Sequence, residues 1–307
     1  MRVLVTGASG YIGSHVCKQL SENNHSVTGW DIELHTEYNN VSMWCDSYAK
    51  QDITESNLKG DFDAVVHLAG RSIVPYSFKE PTEYYRNNIM GTANLTKCFP
   101  NVNNFIFAST SAIAQLNNPY AISKLAAEHV IKENCENHTI FRFFNVSGTD
   151  GVNRQLGEAT HLIRVAAQVA AGVRTHINVY GTDYDTRDGT CLRDYIHVTD
   201  LTNAIVKAVE HGAANSDYEC LGTNTGYSVL EVIDAMKKVT GKNIPIKFCN
   251  RRPGDSEANL VDKVSNYVSL TKDINDMCES QFILETQLKR DKNDYTIFDK
   301  SYGSRVS

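Results

Sequence analysis

The 307-residue chain has only six prolines and no proline-rich stretch, so no linker marks a domain boundary. It has no C-x-x-C pair. Its eight cysteines, Cys17, Cys45, Cys98, Cys135, Cys191, Cys220, Cys249 and Cys278, stand singly, with no histidine at ligand spacing beside them. That excludes a zinc ribbon or a disulfide framework and implies reduced thiols in a reducing compartment, the cytoplasm. His67, His161 and His197 lie far apart, and no metal is expected. Basic charge is also short: 30 Lys and Arg against 36 Asp and Glu give a net charge of −6 and a pI near 5.9. A nucleic-acid footprint is thereby excluded, although a few local arginines suffice for a small anion. The apolar run "VAAQVAAGV" is too short to span a bilayer, and "MRVLVTGASG" opens directly on a strand, without the charged and apolar regions of a signal peptide. A soluble protein with no membrane partner is expected.

What the chain does contain is alternation. Short β-branched runs, "RVLVT", "SVTGWD", "AVVHLAG", "NFIFAST" and "TIFRFFNV", alternate with helical patterns such as "EYYRNNIMGTANLTKC" and "YAISKLAAEHVIKEN". The expected fold is α/β: a Rossmann-type, doubly wound parallel sheet covered on both faces, with a smaller C-terminal α/β substrate domain. The length suits two domains. Residues 1–145 with about 190–215 are assigned to the first, and about 146–189 with 216–307 to the second, the chain crossing between them more than once. In "RDYIHVTDLTNAIVKAVEHG", Thr199 or Asp200 can cap a helix. Strands near "YECLG" and "IPIKFC" are assigned to the smaller domain.

"TGASGYIG" sets Gly7, Gly10 and Gly13 between a strand and a helix. The first glycine permits the tight turn, the second lets backbone N–H groups approach a pyrophosphate, and the third lets helix and sheet pack closely. Tyr11 and Ile12 belong to the same turn. Asp31 ends the next strand, eighteen residues beyond Gly13, where a carboxylate accepts both adenosine ribose hydroxyls and repels a ribose phosphate, so NAD is expected rather than NADP. Asp52 in "QDIT", with Ile53, suits the adenine end. Leu68, Ala69 and Gly70 close a further strand on the same cofactor.

"NNPYAISK", residues 117–124, holds the one lysine that follows any of the fifteen tyrosines by four residues. On a helix, Tyr120 and Lys124 share a face. Making a phenolate available at pH 7 from a group titrating near 10 takes roughly 4 kcal/mol. An ammonium about 4 Å away supplies on the order of 4 kcal/mol at an effective dielectric of 20. The pair follows "FIFAST", a strand end of the kind where open α/β sheets bind ligands, and Thr110 there can hydrogen-bond a reacting oxygen.

With the glycine turn, Asp31, a strand-end hydroxyl and Tyr-x-x-x-Lys in this order, the chain resembles the extended short-chain dehydrogenase/reductase family. Within it, "YYRNNIMGTANL", "RFFNVSG", "THLI", "VYGTDYDTRDGTCLRDYIHVTDL" and "RRPGD" are similar to the 4-epimerases of UDP-linked hexoses. The similarity covers roughly residues 1–260. It implies NAD-dependent inversion at carbon 4 of UDP-galactose and UDP-glucose, or of the N-acetylhexosamine pair, in a homodimer built from two sheet-flanking helices. By the resemblance Tyr120 is the acid/base, Lys124 depresses its pKa and holds the nicotinamide ribose, and Thr110 assists. Asn88 and Ser109 fall on cofactor contacts. Phe144, Asn145, His161, Leu162, Asn178, Val179 and Tyr180 fall on the nucleotide-sugar site. Arg193 and Arg252 resemble diphosphate clamps, Asp255 is placed for the uridine ribose, and Asn259 stands beside the sugar.

Two departures and two rivals accompany the resemblance. Only nine residues separate Thr110 from Tyr120, fewer than the family usually has, which alters what shields the sugar. Asn259 is intermediate between the bulky and small residues of hexose-restricted and N-acetyl-tolerant enzymes. A nucleotide-sugar 4,6-dehydratase shares the cofactor apparatus but follows the threonine with Asp-Glu, where this chain has Ser111 and Ala112. A non-catalytic NAD sensor on the same fold is the other rival, opposed by the presence of Thr110, Tyr120 and Lys124 together.

Overall fold

The computed structural model describes residues 1–33, 39, 41–155, 157–214, 216–252 and 254–290. Pro253 of the motifs above, and 291–307 of the expected second domain, lie outside the described residues. The chain divides into two compact units, Met1–Phe143 with Leu201–Leu221 and Val264–Ser269, and Phe144–Asp200 with Gly222–Lys263 and the residues from Leu270 on.

Six strands of the first unit, β1 (Arg2–Thr6), β2 (Ser26–Asp31), β3 (Ser47–Lys50), β4 (Ala64–His67), β5 (Asn104–Thr110) and β6 (His138–Phe143), form a wholly parallel sheet in the order 3-2-1-4-5-6. Val3, Leu4, Val5, Val65, Phe105 and Ile140 are completely buried, as a parallel sheet covered on both faces requires. The chain runs outward from β1 to β3, then restarts at β4 on the other side of β1. The C-terminal ends of β1 and β4 therefore flank the switch point where such sheets bind ligands. The glycine turn and residues 68–70 follow strand ends on this edge, and Thr110 ends β5 there.

A seventh strand, Glu219–Leu221, pairs parallel with β6, Cys220 opposite Arg142. This corrects the expectation that "YECLG" belongs to the smaller domain. The return segment is Leu201–Leu221 rather than 190–215, and Val264–Ser269 joins it because Val264 bridges Cys220. Residues 190–200 stay with the second unit, where Tyr195–His197 pairs with Asn145–Ser147. The helix of "VTDLTNAIVKAVEH" begins at Val198, so neither Thr199 nor Asp200 precedes it. Asp200 instead accepts from the backbone N–H groups of Thr271 and Lys272 at 3.0 and 3.1 Å.

In the second unit three helices, Leu162–Ala170, Val229–Thr240 and Ile274–Arg290, pack with short strands around Ile163, Ile177, Val232, Ile233 and Met277. Ser228 and Glu231 form a reciprocal capping box on the second helix, and Gly241, at φ +64°, ends it in the left-handed conformation. The last helix is anchored by a buried ion pair, Arg164 to Glu285 at 2.9 Å. Among the described residues no helix is long and apolar enough to cross a membrane, and no cluster of His, Cys, Asp or Glu could hold a metal ion.

Candidate active site

The glycine turn is shaped by contacts that a Cβ would destroy. Gly7 has φ +71°, and a Cβ on Gly13 would lie 2.0 Å from the Gly7 carbonyl oxygen. The helix Tyr11–Glu22 follows Gly10 with no side chain capping it and no acidic residue in its first turn. A narrow backbone cradle against an uncapped helix N-terminus fits a pyrophosphate. Asp31, at the end of β2, is held in place: its carboxylate accepts from Ser9 N–H at 3.0 Å and Glu33 N–H at 3.4 Å.

The opposite wall follows β4. Ala69 N–H donates to Thr6 Oγ1 at 3.3 Å, and a Cβ on Gly70 would come 2.7 Å from Asn88 Oδ1. Asn88 is buried in a single π-helical turn, Arg86–Met90, of a kind that often marks functional positions. Its Oδ1 accepts from Arg71 N–H at 2.8 Å, and its Nδ2 donates to Arg71 O and to Ser123 Oγ at 3.0 and 2.9 Å. Asn88 thus ties the loop after β4 to the helix Pro119–Asn134. Asp52 accepts from Thr54 N–H at 2.8 Å, while the Ile53 side chain is core and leaves only its backbone for a ligand.

That helix begins with Asn118 as N-cap, its side chain accepting from Ala121 N–H at 2.8 Å, and with Pro119 in the first turn. Tyr120 and Lys124 follow one turn apart. The nearby Thr110 hydroxyl pulls the Tyr120 pKa down, but burial is the larger effect and leaves the phenol above its ordinary value. The expected lowering by lysine is therefore not a property of the chain alone. Lys124 is 6% exposed, and its ammonium lies 4.0 Å over the Phe107 ring. Burial pulls its pKa down to about 7, partly opposed by Glu128. Among the described residues this ammonium has a ring beneath it and no recorded hydrogen bond, so a buried donor is left for a bound ligand. The cradle, Asp31 and this donor together fit NAD.

In the second unit the expected nucleotide-sugar residues fall into one neighbourhood and a few outliers. Arg193 and Asn259 are paired across adjacent strands, Arg193 reaches Asp255 at 3.9 Å, and Asp255 N–H donates to Arg252 O at 3.3 Å. The Arg252 guanidinium stacks 3.9 Å above Tyr180, whose hydroxyl accepts from Asn178 at 3.3 Å. Asn145 donates both backbone N–H and Nδ2 to the Asp194 carbonyl, at 3.1 and 2.8 Å. Phe144 is half-buried, His161 is exposed just before the helix Leu162–Ala170, and Leu162 packs on the core of this unit.

Residues 3–220 match the model of the NAD dependent epimerase/dehydratase family. The chain belongs to that family. It is 37% identical to a UDP-glucose 4-epimerase of Azospirillum brasilense, over 83% of this chain and 82% of that protein. Among solved structures it is similar to a UDP-glucose 4-epimerase from Stenotrophomonas maltophila with bound NAD and formylated UDP-arabinopyranose (TM-score 0.86, 28% identity, 95% and 99% of the two chains). It is also similar to the enzyme from Bifidobacterium longum in complex with NAD+ and UDP (TM-score 0.83, 30% identity, 95% and 99%).

As a member of the epimerase/dehydratase family the chain departs from its sequence-based expectations at two side chains. Val179 is completely buried, because the strand Ile177–Tyr180 alternates and turns Ile177 and Val179 inward, so Val179 offers a ligand only backbone. Ser109 donates its hydroxyl to the buried carboxylate of Glu128 at 2.5 Å. Four residues that motif reading passes over hold the candidate residues in place: in the first unit Phe107 beneath Lys124, Glu128, and Tyr84, whose ring meets Tyr120 edge-on at 6.4 Å, and in the second unit Asp194. Glu128 alone carried a signal, eight residues after Tyr120 on the same helix face.

Proposed function

We propose that the chain is an NAD-dependent 4-epimerase of UDP-hexoses that interconverts UDP-galactose and UDP-glucose. The observation that carries this is Tyr120 one helical turn from the buried Lys124, whose ammonium lies 4.0 Å over the Phe107 ring, with Thr110 ending β5 on the strand-end edge that bears the glycine cradle. Tyr120 takes the proton of the sugar 4-hydroxyl and returns it on the way back, while Thr110 holds the reacting oxygen. NAD, when bound, supplies the reversible hydride acceptor and a positive charge near the phenol. That charge and the Lys124 ammonium together offset the burial of Tyr120. Gly7, Gly10, Tyr11, Ile12 and Gly13 hold the pyrophosphate through backbone, and Asp31 accepts the adenosine ribose hydroxyls. Asp52, Leu68 to Gly70, Asn88 and Lys124 complete the contacts.

Arg193 and Arg252 clamp the diphosphate, with bidentate guanidinium groups suited to phosphate oxygens. Asp255, Tyr180, Asn178 and the Val179 backbone hold uridine, and Phe144, Asn145, His161, Leu162 and Asn259 line the remainder. Binding the UDP tightly and the hexose loosely would let either face of the keto sugar take the hydride back from the same donor. Against elimination of water stand Ser111 and Ala112: neither serves as an acid/base pair, and Ala112 N–H donates to Thr110 at 3.2 Å. The protein works in the cytoplasm as a homodimer. Exposed Met90 and Ile122, one in each of the two segments expected to pair, support that assembly, and a monomer by light scattering would refute it.

Incubation with UDP-galactose or UDP-N-acetylgalactosamine and catalytic NAD, followed by NMR, tests the function. Gluco products are expected, with the preferred pair revealing what fits beside Asn259. A 4-keto-6-deoxy product would replace the proposal with a dehydratase, and NAD binding without turnover with a sensor.

A further inference from the structure

We propose that Glu128 is a positioning residue for the Tyr120–Lys124 pair: it fixes their helix against β5 and keeps the Lys124 ammonium charged. This rests on the epimerase function proposed above. Tyr120, Lys124 and Glu128 stand at i, i+4 and i+8, one stripe on one helix face. Both Glu128 oxygens are engaged, Oε1 accepting from Ser109 at 2.5 Å and Arg142 Nε at 2.9 Å, and Oε2 from Arg142 at 2.8 Å. Thr110, the residue after Ser109, is the last residue of β5, and its hydroxyl draws the Tyr120 pKa down. Ser109 therefore ties β5, and Arg142 ties β6, to the helix two turns beyond Tyr120, which sets its register where the proton is transferred.

The electrostatic part follows from what surrounds Lys124. From β4, His67 is neutral: the Thr92 hydroxyl donates to Asn88 O at 2.6 Å and so accepts from Nε2 at 2.9 Å, while Thr6 donates to Nδ1 at 2.8 Å. From β5 comes only the Phe107 ring. Tyr120 and Tyr84 are uncharged near neutral pH, burial raising both. Arg142, from β6, reaches Glu128 and stacks 3.6 Å from the Tyr218 ring. Glu128 is the carboxylate that supports the ammonium. A buried ion pair is rarely better for stability than two apolar side chains of similar volume. Its presence beside Lys124 is explained by what it does for that lysine.

The test uses the NAD-loaded enzyme and compares wild type, Glu128→Gln and the pair Glu128→Met with Arg142→Met. Glu128→Gln is expected to lower kcat at pH 7 about tenfold with KM within about twofold, since one neighbouring charge is lost. The alkaline limb of the kcat profile should move to lower pH. The double Met variant should recover thermal stability yet keep the kcat defect and the displaced limb. Nitrogen-15 lysine NMR reads the Lys124 titration independently of turnover, and its midpoint should fall in both variants. An unmoved midpoint, or wild-type kcat and profile in the double variant, overturns the inference. If the midpoint moves but the wild type turns over no UDP-hexose, the positioning role stands and the epimerase assignment fails.

Discussion

Replacing Lys124 by Met should make the nucleotide-free chain more stable at neutral pH while abolishing its activity. The Lys124 pKa is pulled from 10.5 down to about 7 by burial, first opposed by Glu128. A base depressed in the fold is protonated more readily in the unfolded chain between those values, so wild-type stability should rise as pH increases from about 7 toward 10.5. At pH 7 the buried ammonium costs on the order of 4 kcal/mol relative to a neutral side chain. Met keeps the stem and sets a thioether over Phe107, a favourable contact. Urea unfolding of both proteins at pH 7 and pH 10 is the assay. The Met variant should have the higher midpoint at pH 7, and the gap should close by pH 10. A Met variant less stable at pH 7, or a gap independent of pH, would refute the claim that this lysine is held at a cost to the fold.

Tyr120→Phe should lower kcat by about 10²- to 10⁴-fold, the usual worth of a positioned acid/base, while NAD titration stays close to wild type. Gly13→Ala forces a Cβ against the Gly7 carbonyl, 2.0 Å away; loss of NAD binding by fluorescence titration and a lower melting temperature are expected. Arg252→Ala removes a guanidinium stacked on Tyr180, and KM for the UDP-sugar should rise about 10- to 100-fold with kcat little changed, the signature of lost uniform binding.

Much of the cofactor half could be read directly from the chain because its chemistry is local. A glycine turn, a carboxylate at the next strand end and a lysine one helical turn after a tyrosine are each set by a few neighbouring residues. The strand Glu219–Leu221 escaped correct placement because three residues carry no periodicity, and pairing with β6 decides their sheet. Ser109 and Val179 show a second limit. Motif spacing places a residue near a ligand, but strand alternation and a distant carboxylate on another element decide where its side chain goes. The pKa values of Tyr120 and Lys124 depend on burial by Phe107, Tyr84 and their neighbours, which no pairwise spacing reports.

Asp194 gives the second unit an engineering constraint. This buried carboxylate gathers the N–H groups of Thr223 and Asn224, each at 2.7 Å, and of Val261 at 3.4 Å. Its own backbone meets Asn145 and Asn259. Two loops thus hang from one side chain that need not touch the sugar. A designer seeking a new hexose could vary the residue at 259 freely in size, because its backbone position is dictated from Asp194. Changing the Asp194 side chain would unhook both loops at once, so selectivity should be malleable at the tips of this arrangement and rigid at its hub.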